Sequence, residues 1–387
     1  MRVVVTIQHP GHVHFFKHAI SELEARDHEV HVFARENEVA VELLEEYGID
    51  HEVLAGESDS LLSLAAVQAT YEARLLARAR RIQPDVIAAI GGVAAAHVAT
   101  VVGARSVVFY DTEHATLIKT LAYPFADQLC TPECYRESIG SKQVRYPGYH
   151  ELAYLHPDRF EPDPSVLEEA GIDPEETLAV VRFSGWDSSH DLGQGGFDDP
   201  EAVVERLEDA GARVLLTSEV DLPDSLEPYQ LTTEPHRMHD LLAFADVFVG
   251  EGATTAAEAA LLGTPAVYVN TLTMGYTDDL EEHGLLFGFD GPNRHERGLE
   301  RALSILEDEQ DARWTWNRER LLASMVDVTD VVVETIAGSA DALESQREDR
   351  EREREQNEVL TTDETTIAAG SRPTESERDD EPLEARP

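Results

Sequence analysis

The chain has 387 residues, and its 31 Lys and Arg against 77 Asp and Glu leave a formal charge of −46, which excludes free nucleic acid and anionic lipid as main partners. With 42% hydrophobic residues, it is long enough for two domains with their own cores and is not a wholly disordered chain. Two cysteines, Cys130 and Cys134, exclude a disulfide-built secreted scaffold.

Met1 leads straight into the apolar run Val3–Ile7, a predicted strand with no signal-peptide pattern before it, so a cytoplasmic setting is expected. A Pro/Gly/His turn precedes a helix over His14–Arg26. Glu29–Ala34 reads as a strand, Glu36–Tyr47 as a helix, His51–Leu54 as a short strand and Leu61–Arg81 as a long helix. Val86–Ile90 is a strand, closed by Gly91-Gly92 before the Ala-rich helix Val93–Val102. This stretch carries no charge as far as Ala104, but glycines and His97 interrupt it, so a buried strand, turn and helix are expected and no transmembrane span. Ser106–Tyr110 is a strand, Glu113–Phe125 a helix and Gln128–Cys130 a strand.

Around Ser141–Pro164 the pattern breaks into Tyr, Pro, His and Gly, as an interdomain connector would. Alternation then restarts with strands at Leu178–Phe183, Arg213–Thr217, Asp246–Val249, Pro265–Val269 and Leu285–Phe287. Helices are predicted at Pro200–Ala210, Met238–Phe244, Thr254–Leu262, Glu296–Glu307, Gln310–Met325 and Asp330–Leu343. Beyond about Ser345 almost nothing apolar remains, so the acidic tail is expected to be disordered. Strand–helix alternation with short connections implies parallel sheets covered on both faces. The expected organisation is a Rossmann-like domain over 1–140, a connector over 141–164, a second Rossmann-like domain over 165–345 and a tail over 346–387. Only three lysines occur, Lys17, Lys119 and Lys142. Acidic residues spread over the whole chain then predict a cytoplasmic protein of an extreme halophile, most simply an archaeon. At ~1 M salt the Debye length of about 3 Å removes most of the self-repulsion.

Two parallel-sheet domains facing a cleft place ligands beyond the carboxyl ends of their strands. The first such turn is Gln8-His9-Pro10-Gly11-His12. Gly11 permits close backbone approach, the following helix start favours an anion, and His9 or His12 can move a proton. A turn glycine with surface histidines is the bland alternative. His14 and His18 lie four apart on one helix face as metal ligands can, but no third ligand is near and Phe15-Phe16 points to packing, so no metal is expected. The second turn runs from Arg182 through Ser184, Ser188 and His190 to a glycine cluster, with hydroxyl and backbone donors suited to phosphate. A plain surface loop is the alternative. The third is Gly250–Pro265, in which Glu258 is the one carboxylate of an Ala-rich helix. Buried, it needs a partner such as a pair of ribose hydroxyls; on the solvent face it would be one more acidic residue.

This third motif resembles the C-terminal-domain signature of GT-B-fold nucleotide-sugar enzymes. Closest are the transferase that adds N-acetylglucosamine to a lipid-linked peptidoglycan precursor and the UDP-N-acetylglucosamine 2-epimerases. Gly252, Thr254, Thr255, Glu258, Gly263 and Pro265 match in order and spacing, and the resemblance assigns Glu258 to the ribose. Pro10-Gly11-His12-Val13 is similar to the transferase's Gly-Gly-His-Val, whose His lies near the acceptor. Together with Asp111-Thr112-Glu113-His114-Ala115 and Tyr146-Pro147-Gly148, these segments look like an uncharacterised, largely archaeal family classed with GT-B enzymes, over roughly 1–336. Asp111, Glu113 and His114 enter the substrate-binding set on that resemblance. There are departures: the transferase's Arg after an interdomain Asn-Pro is replaced by Tyr149-His150-Glu151, and the epimerases' Gly-Thr-Arg-Pro-Glu opening by Gln8–His12.

The resemblance implies a metal-independent glycosyltransferase that uses a nucleoside-diphosphate sugar, UDP-linked, as substrate and needs no separate cofactor. His12, with His9 beside it, would be the catalytic base toward a lipid-linked or soluble glycan acceptor. An epimerase acting on a UDP-sugar and a non-catalytic nucleotide-sugar binding protein stay open.

Overall fold

In the computed structural model, the described residues are 1–338 apart from 38, 58–60, 184–196, 198, 219–222, 232 and 309–310. Seven parallel strands form the first sheet: β1 (Arg2–Ile7), β2 (Glu29–Arg35), β3 (His51–Ala55), β4 (Val86–Ile90), β5 (Arg105–Phe109), β6 (Gln128–Pro132) and β7 (Gln143–Tyr146), in the order β3-β2-β1-β4-β5-β6-β7. Five form the second: β8 (Leu178–Phe183), β9 (Arg213–Ser218), β10 (Val247–Gly250), β11 (Ala266–Val269) and β12 (Leu286–Phe289), in the order β12-β11-β10-β8-β9. Every pairing between named strands is parallel. The strands are continuous apolar runs because both faces are covered by helices; Val3, Val4 and Val5 are fully buried, as are Val247, Phe248 and Val249. The uncharged stretch at 86–104 is β4, a turn and the helix Val93–Val102, and no helix among the described residues is long and apolar enough to cross a membrane. Gly92 (φ 68°) makes that turn, and a Cβ on it would come within 2.5 Å of Val108.

Several boundaries differ from the sequence expectation. The first helix is Pro10–Ala25 and begins four residues early, because Pro10 supplies a ready-made helical φ at a position that needs no N–H donor. The helix expected over Glu113–Phe125 shrinks to Thr116–Ala122. β7 lies inside the stretch read as connector and completes the edge of the first sheet. The helix Gly275–Glu282 was not foreseen; the two acidic pairs Asp278-Asp279 and Glu281-Glu282 in its eight residues hid a short apolar face carried by Tyr276 and Leu280. The last described helix, 328–338, returns to the first half: Val326 N–H donates to the Pro147 carbonyl (2.9 Å) and the Thr329 hydroxyl to the Ala153 carbonyl (2.7 Å). Val328, Val332, Val333 and Ile336 join one continuous core with Phe15, Phe16, Phe109, Phe248 and Tyr268. Arg159 ties this crossing down through Glu22, Asp327 and Asp330. The tail after Ser345 lies outside the described residues.

Candidate functional site

In the first sheet, successive strands leave β1 toward β2 on one side and β4 on the other; in the second, they leave β8 toward β9 and β10. At such switch points the connections diverge and open a crevice at the carboxyl ends of the strands. Gln8–His12 follows β1, and Arg182 near the end of β8 stands in register with Gly250 at the end of β10. The first expected turn therefore follows a strand at one switch point and the third a strand at the other, whereas residues 184–196 of the second lie outside the described residues.

His9 is the extended cap of the first helix (φ −158°), and its Nδ1 accepts the Gly11 N–H at 3.1 Å. Gly11 and His12 thus belong to the first helical turn. The His12 Nδ1 accepts the Gln8 N–H at 3.3 Å. That bond places the proton of the neutral ring on Nε2, so the free nitrogen of His12 donates a hydrogen bond and does not accept one. Burial, reinforced by His9 and His150, holds the His12 pKa well below its ordinary value. The neutral form expected for His12 is present, but its tautomer is the wrong one for a base acting through Nε2.

Opposite His12, Asp111 follows β5 and faces His150 from the connector, with Asp111 Oδ2 and His150 Nδ1 3.1 Å apart. The Thr112 hydroxyl donates to the other carboxylate oxygen at 2.8 Å. Burial pushes the Asp111 carboxyl up, but His150 and Thr112 outweigh it and hold the pKa below the usual carboxylate value. His150 is 7% exposed and packs on Phe15, ring centroids 4.7 Å apart; its Nε2 is buried with no hydrogen-bond partner among the described residues. Next in the chain, Glu151 is 3% exposed, and burial with Asp111 and Glu258 nearby drives its carboxyl well above the usual range.

Glu258 faces inward. Tyr154 donates to its Oε1 at 2.7 Å, and His239 Nε2 lies 2.9 Å from the same oxygen. Burial raises the Glu258 pKa, but His239, Tyr154 and Arg182 more than offset that and keep it below the ordinary value. His14 joins this group, with its ring 4.7 Å from His239 and 5.2 Å from Tyr154 and its Nδ1 3.3 Å from the Tyr47 hydroxyl. That packing accounts for the position of His14. Lys17 lies over the Tyr47 ring at 4.5 Å, and burial lowers its pKa to about 8 against the pull of Asp240 and Glu258.

The other expected residues are placed as follows. Gly252 caps the helix Ala253–Leu262 with Thr255 buried and Thr254 exposed. Glu113 accepts the Gly275 N–H at 3.1 Å and the Arg136 N–H at 3.0 Å, so it caps the helix Gly275–Glu282 and joins the two halves. Arg136 reinforces this joint by donating to Thr273, Met274 and Asp278. A Cβ on Gly275 would fall 2.0 Å from the Cys134 carbonyl oxygen, which shows how closely the halves meet. His114 is exposed in the turn after β5. Ser184, Ser188 and His190 lie outside the described residues.

Sequence reasoning missed His150, Glu151, Tyr154, Lys17 and His239. Their signal was polar residues inside apolar helical stretches: Tyr149-His150-Glu151-Leu152-Ala153-Tyr154 puts His150 and Tyr154 one turn apart.

The sequence model of a family described as "Protein of unknown function (DUF354)" matches residues 1–341. No curated protein matches the chain. Among solved structures, a UDP-GlcNAc 2-epimerase from Neisseria meningitidis bound to UDP-GlcNAc is similar at 10% identity and TM-score 0.63, covering 87% of this chain and 100% of that one. The spinosyn forosaminyltransferase SpnP is similar at 18% identity and TM-score 0.58, covering 87% and 99%. The glycosyltransferase VinC in complex with dTDP is similar at 17% identity and TM-score 0.58, covering 88% and 100%. At these identities the likeness shows the fold, which is that of GT-B glycosyltransferases.

Proposed function

This chain belongs to the DUF354 family of proteins of unknown function, and from that premise we propose that it transfers a sugar from a nucleoside diphosphate, UDP in the simplest reading, to an acceptor hydroxyl. The observation that carries the reading is the convergence of titratable groups from both sheets at their switch points. Glu258 and Arg182 lie on the side of the second sheet; His12, Asp111 and His150 lie on the side of the first. The Glu258 carboxylate, held ionised, suits two ribose hydroxyls. The helix start at Gly252–Thr255 and Arg182 suit the diphosphate. His12 and His9 line the acceptor side, where the Nε2–H of His12 can hold an oxygen of the sugar or acceptor. Charge that develops on the departing diphosphate is met by fixed dipoles and Arg182, so the reading requires no metal ion. An archaeal, salt-adapted cytoplasm is the proposed setting, on the charge of −46 with three lysines.

One observation favours a second reading. Burial pushes the Glu151 carboxyl up while His150 and Thr112 hold that of Asp111 down, and two carboxyl groups with pKa values pushed apart can remove and return a proton on a sugar that stays attached to its nucleotide, as an epimerase requires. Mass spectrometry of the nucleotides retained by protein purified in molar KCl, followed by incubation with UDP-GlcNAc and an acceptor panel, separates the two. Free UDP with a glycosylated acceptor is the expected result. A new UDP-sugar without UDP release would replace transfer by epimerisation, and calorimetry showing no binding of UDP or dTDP would overturn both.

A further inference from the structure

Asp111 faces His150 as an orienting carboxylate faces a base. A carboxylate oxygen carries only lone pairs and repels an unprotonated nitrogen, so Asp111 Oδ2 at 3.1 Å from His150 Nδ1 favours the tautomer with the proton on Nδ1. The neutral ring then offers its lone pair at Nε2, and this atom is buried without a partner among the described residues. Leaving a buried polar atom unpaired is costly, and a catalytic role is one of the reasons a protein keeps such an atom. His12 has the opposite polarity, because its Nδ1 is taken by the Gln8 N–H. The groups that face His150 are Asp111 after β5, His12 on the first helix, Glu151 beside it in the chain and the apolar ring of Phe15.

We propose that His150, oriented by Asp111, is the catalytic base of the transfer reaction, and that His12 serves it as a hydrogen-bond donor. The proposal rests on the nucleotide-sugar reading above. As the acceptor oxygen forms its bond to the anomeric carbon, its proton passes to His150 Nε2. The bond from that carbon to the phosphate oxygen breaks, its electron pair leaves with the nucleoside diphosphate, and the imidazolium is stabilised by ionised Asp111. The proton then leaves to solvent with the products. Asp111 is a positioning residue here, acting through the tautomer of His150.

The test compares His150→Gln, Asp111→Asn and His12→Gln in the full chain at molar KCl, with UDP-GlcNAc as donor probe and UDP release as readout. The expected result is a loss of about 10²–10⁴-fold in kcat for His150→Gln and a comparable loss for Asp111→Asn, with UDP affinity within threefold of wild type. His12→Gln should lose less. Nitrogen NMR of the histidines should show His150 protonated at Nδ1 in the wild type and the signature lost in Asp111→Asn, a change that a purely structural role for Asp111 would not produce. The NMR arm also keeps the proposal testable where His150→Gln fails to fold. UDP release retained in folded His150→Gln, or a wild-type His150 protonated only at Nε2, would overturn this role and leave the transfer reading standing. A wild-type chain that binds no UDP would overturn that reading, and this role with it.

Discussion

At the end of β1 and around Asp111 the polar groups are incompletely paired among the described residues: His12 engages its Nδ1, His150 has a buried Nε2 without a partner, and burial drives the Glu151 carboxyl above the usual range. Beneath the helix Ala253–Leu262 the pairing is much fuller, with Glu258 receiving Tyr154 and facing His239, and His14 meeting Tyr47. On the proposed function, the first cluster gives up stability to keep proton-transfer groups uncommitted; the second holds one charge in place and joins the halves of the protein. That proposal separates a region that reacts from a region that grips.

Salt dilution tests whether the two regions share one scaffold. Lowering KCl from molar to ~0.1 M lengthens the Debye length to about 10 Å and should unfold both sheets in a single cooperative transition by circular dichroism, because one core spans them. Two separate transitions would show the halves to be independent.

Glu258→Ala attacks the grip. Removing one member of a buried, hydrogen-bonded charged group should cost about 3–5 kcal/mol of stability, and about 1.5–3 kcal/mol of UDP binding. Wild-type stability from this carboxylate should be complete above the ordinary carboxylate range and be lost as pH falls through its depressed pKa, whereas Glu258→Ala should lack that acid limb. A melting temperature unchanged at neutral pH would return Glu258 to the solvated surface.

Lys17→Met should stabilise. Its pKa is lowered to about 8, so the charged form costs about 1–3 kcal/mol in the folded state. The gain should be full below pH 8 and shrink as pH rises toward the ordinary lysine value, where the wild-type side chain also becomes neutral. A melting temperature that falls in the mutant would mean that the ammonium is one of the bonds of the grip.

Glu113→Ala has the smallest expected effect. Loss of its cap on Gly275 should cost about 0.5–2 kcal/mol and loosen the joint between the halves, read as faster amide exchange in Gly275–Glu282. Unchanged exchange with loss of UDP binding would move Glu113 from the joint to the ligand.

Much of this was legible in order of residues. Val3–Ile7, Val86–Ile90 and Leu178–Phe183 are apolar runs too short for helices, and the Gly-x-Pro spacing after Glu258 marks a strand–turn–helix–strand unit. Strand positions, their parallel pairing and the strand-end turns follow from such local patterns, because period and turn chemistry act over a few residues. Whether Glu258 faces inward was not legible, since an Ala-rich helix has no strong apolar face to orient it; only packing against Tyr154 and His239 set its direction.

The sequence by itself determined the alternation, the two-sheet plan, the strongly acidic charge and the positions of the strand-end turns. Only the tertiary structure decided which of those residues meet. Asp111 finds His150 across 39 positions and Tyr154 finds Glu258 across 104, contacts made by sheets and a connector that no local rule encodes. The protonation states follow from those contacts: His12 is turned into a donor by the amide of Gln8, and His150 into an acceptor by Asp111, because a ring nitrogen takes its role from the partner its other nitrogen meets.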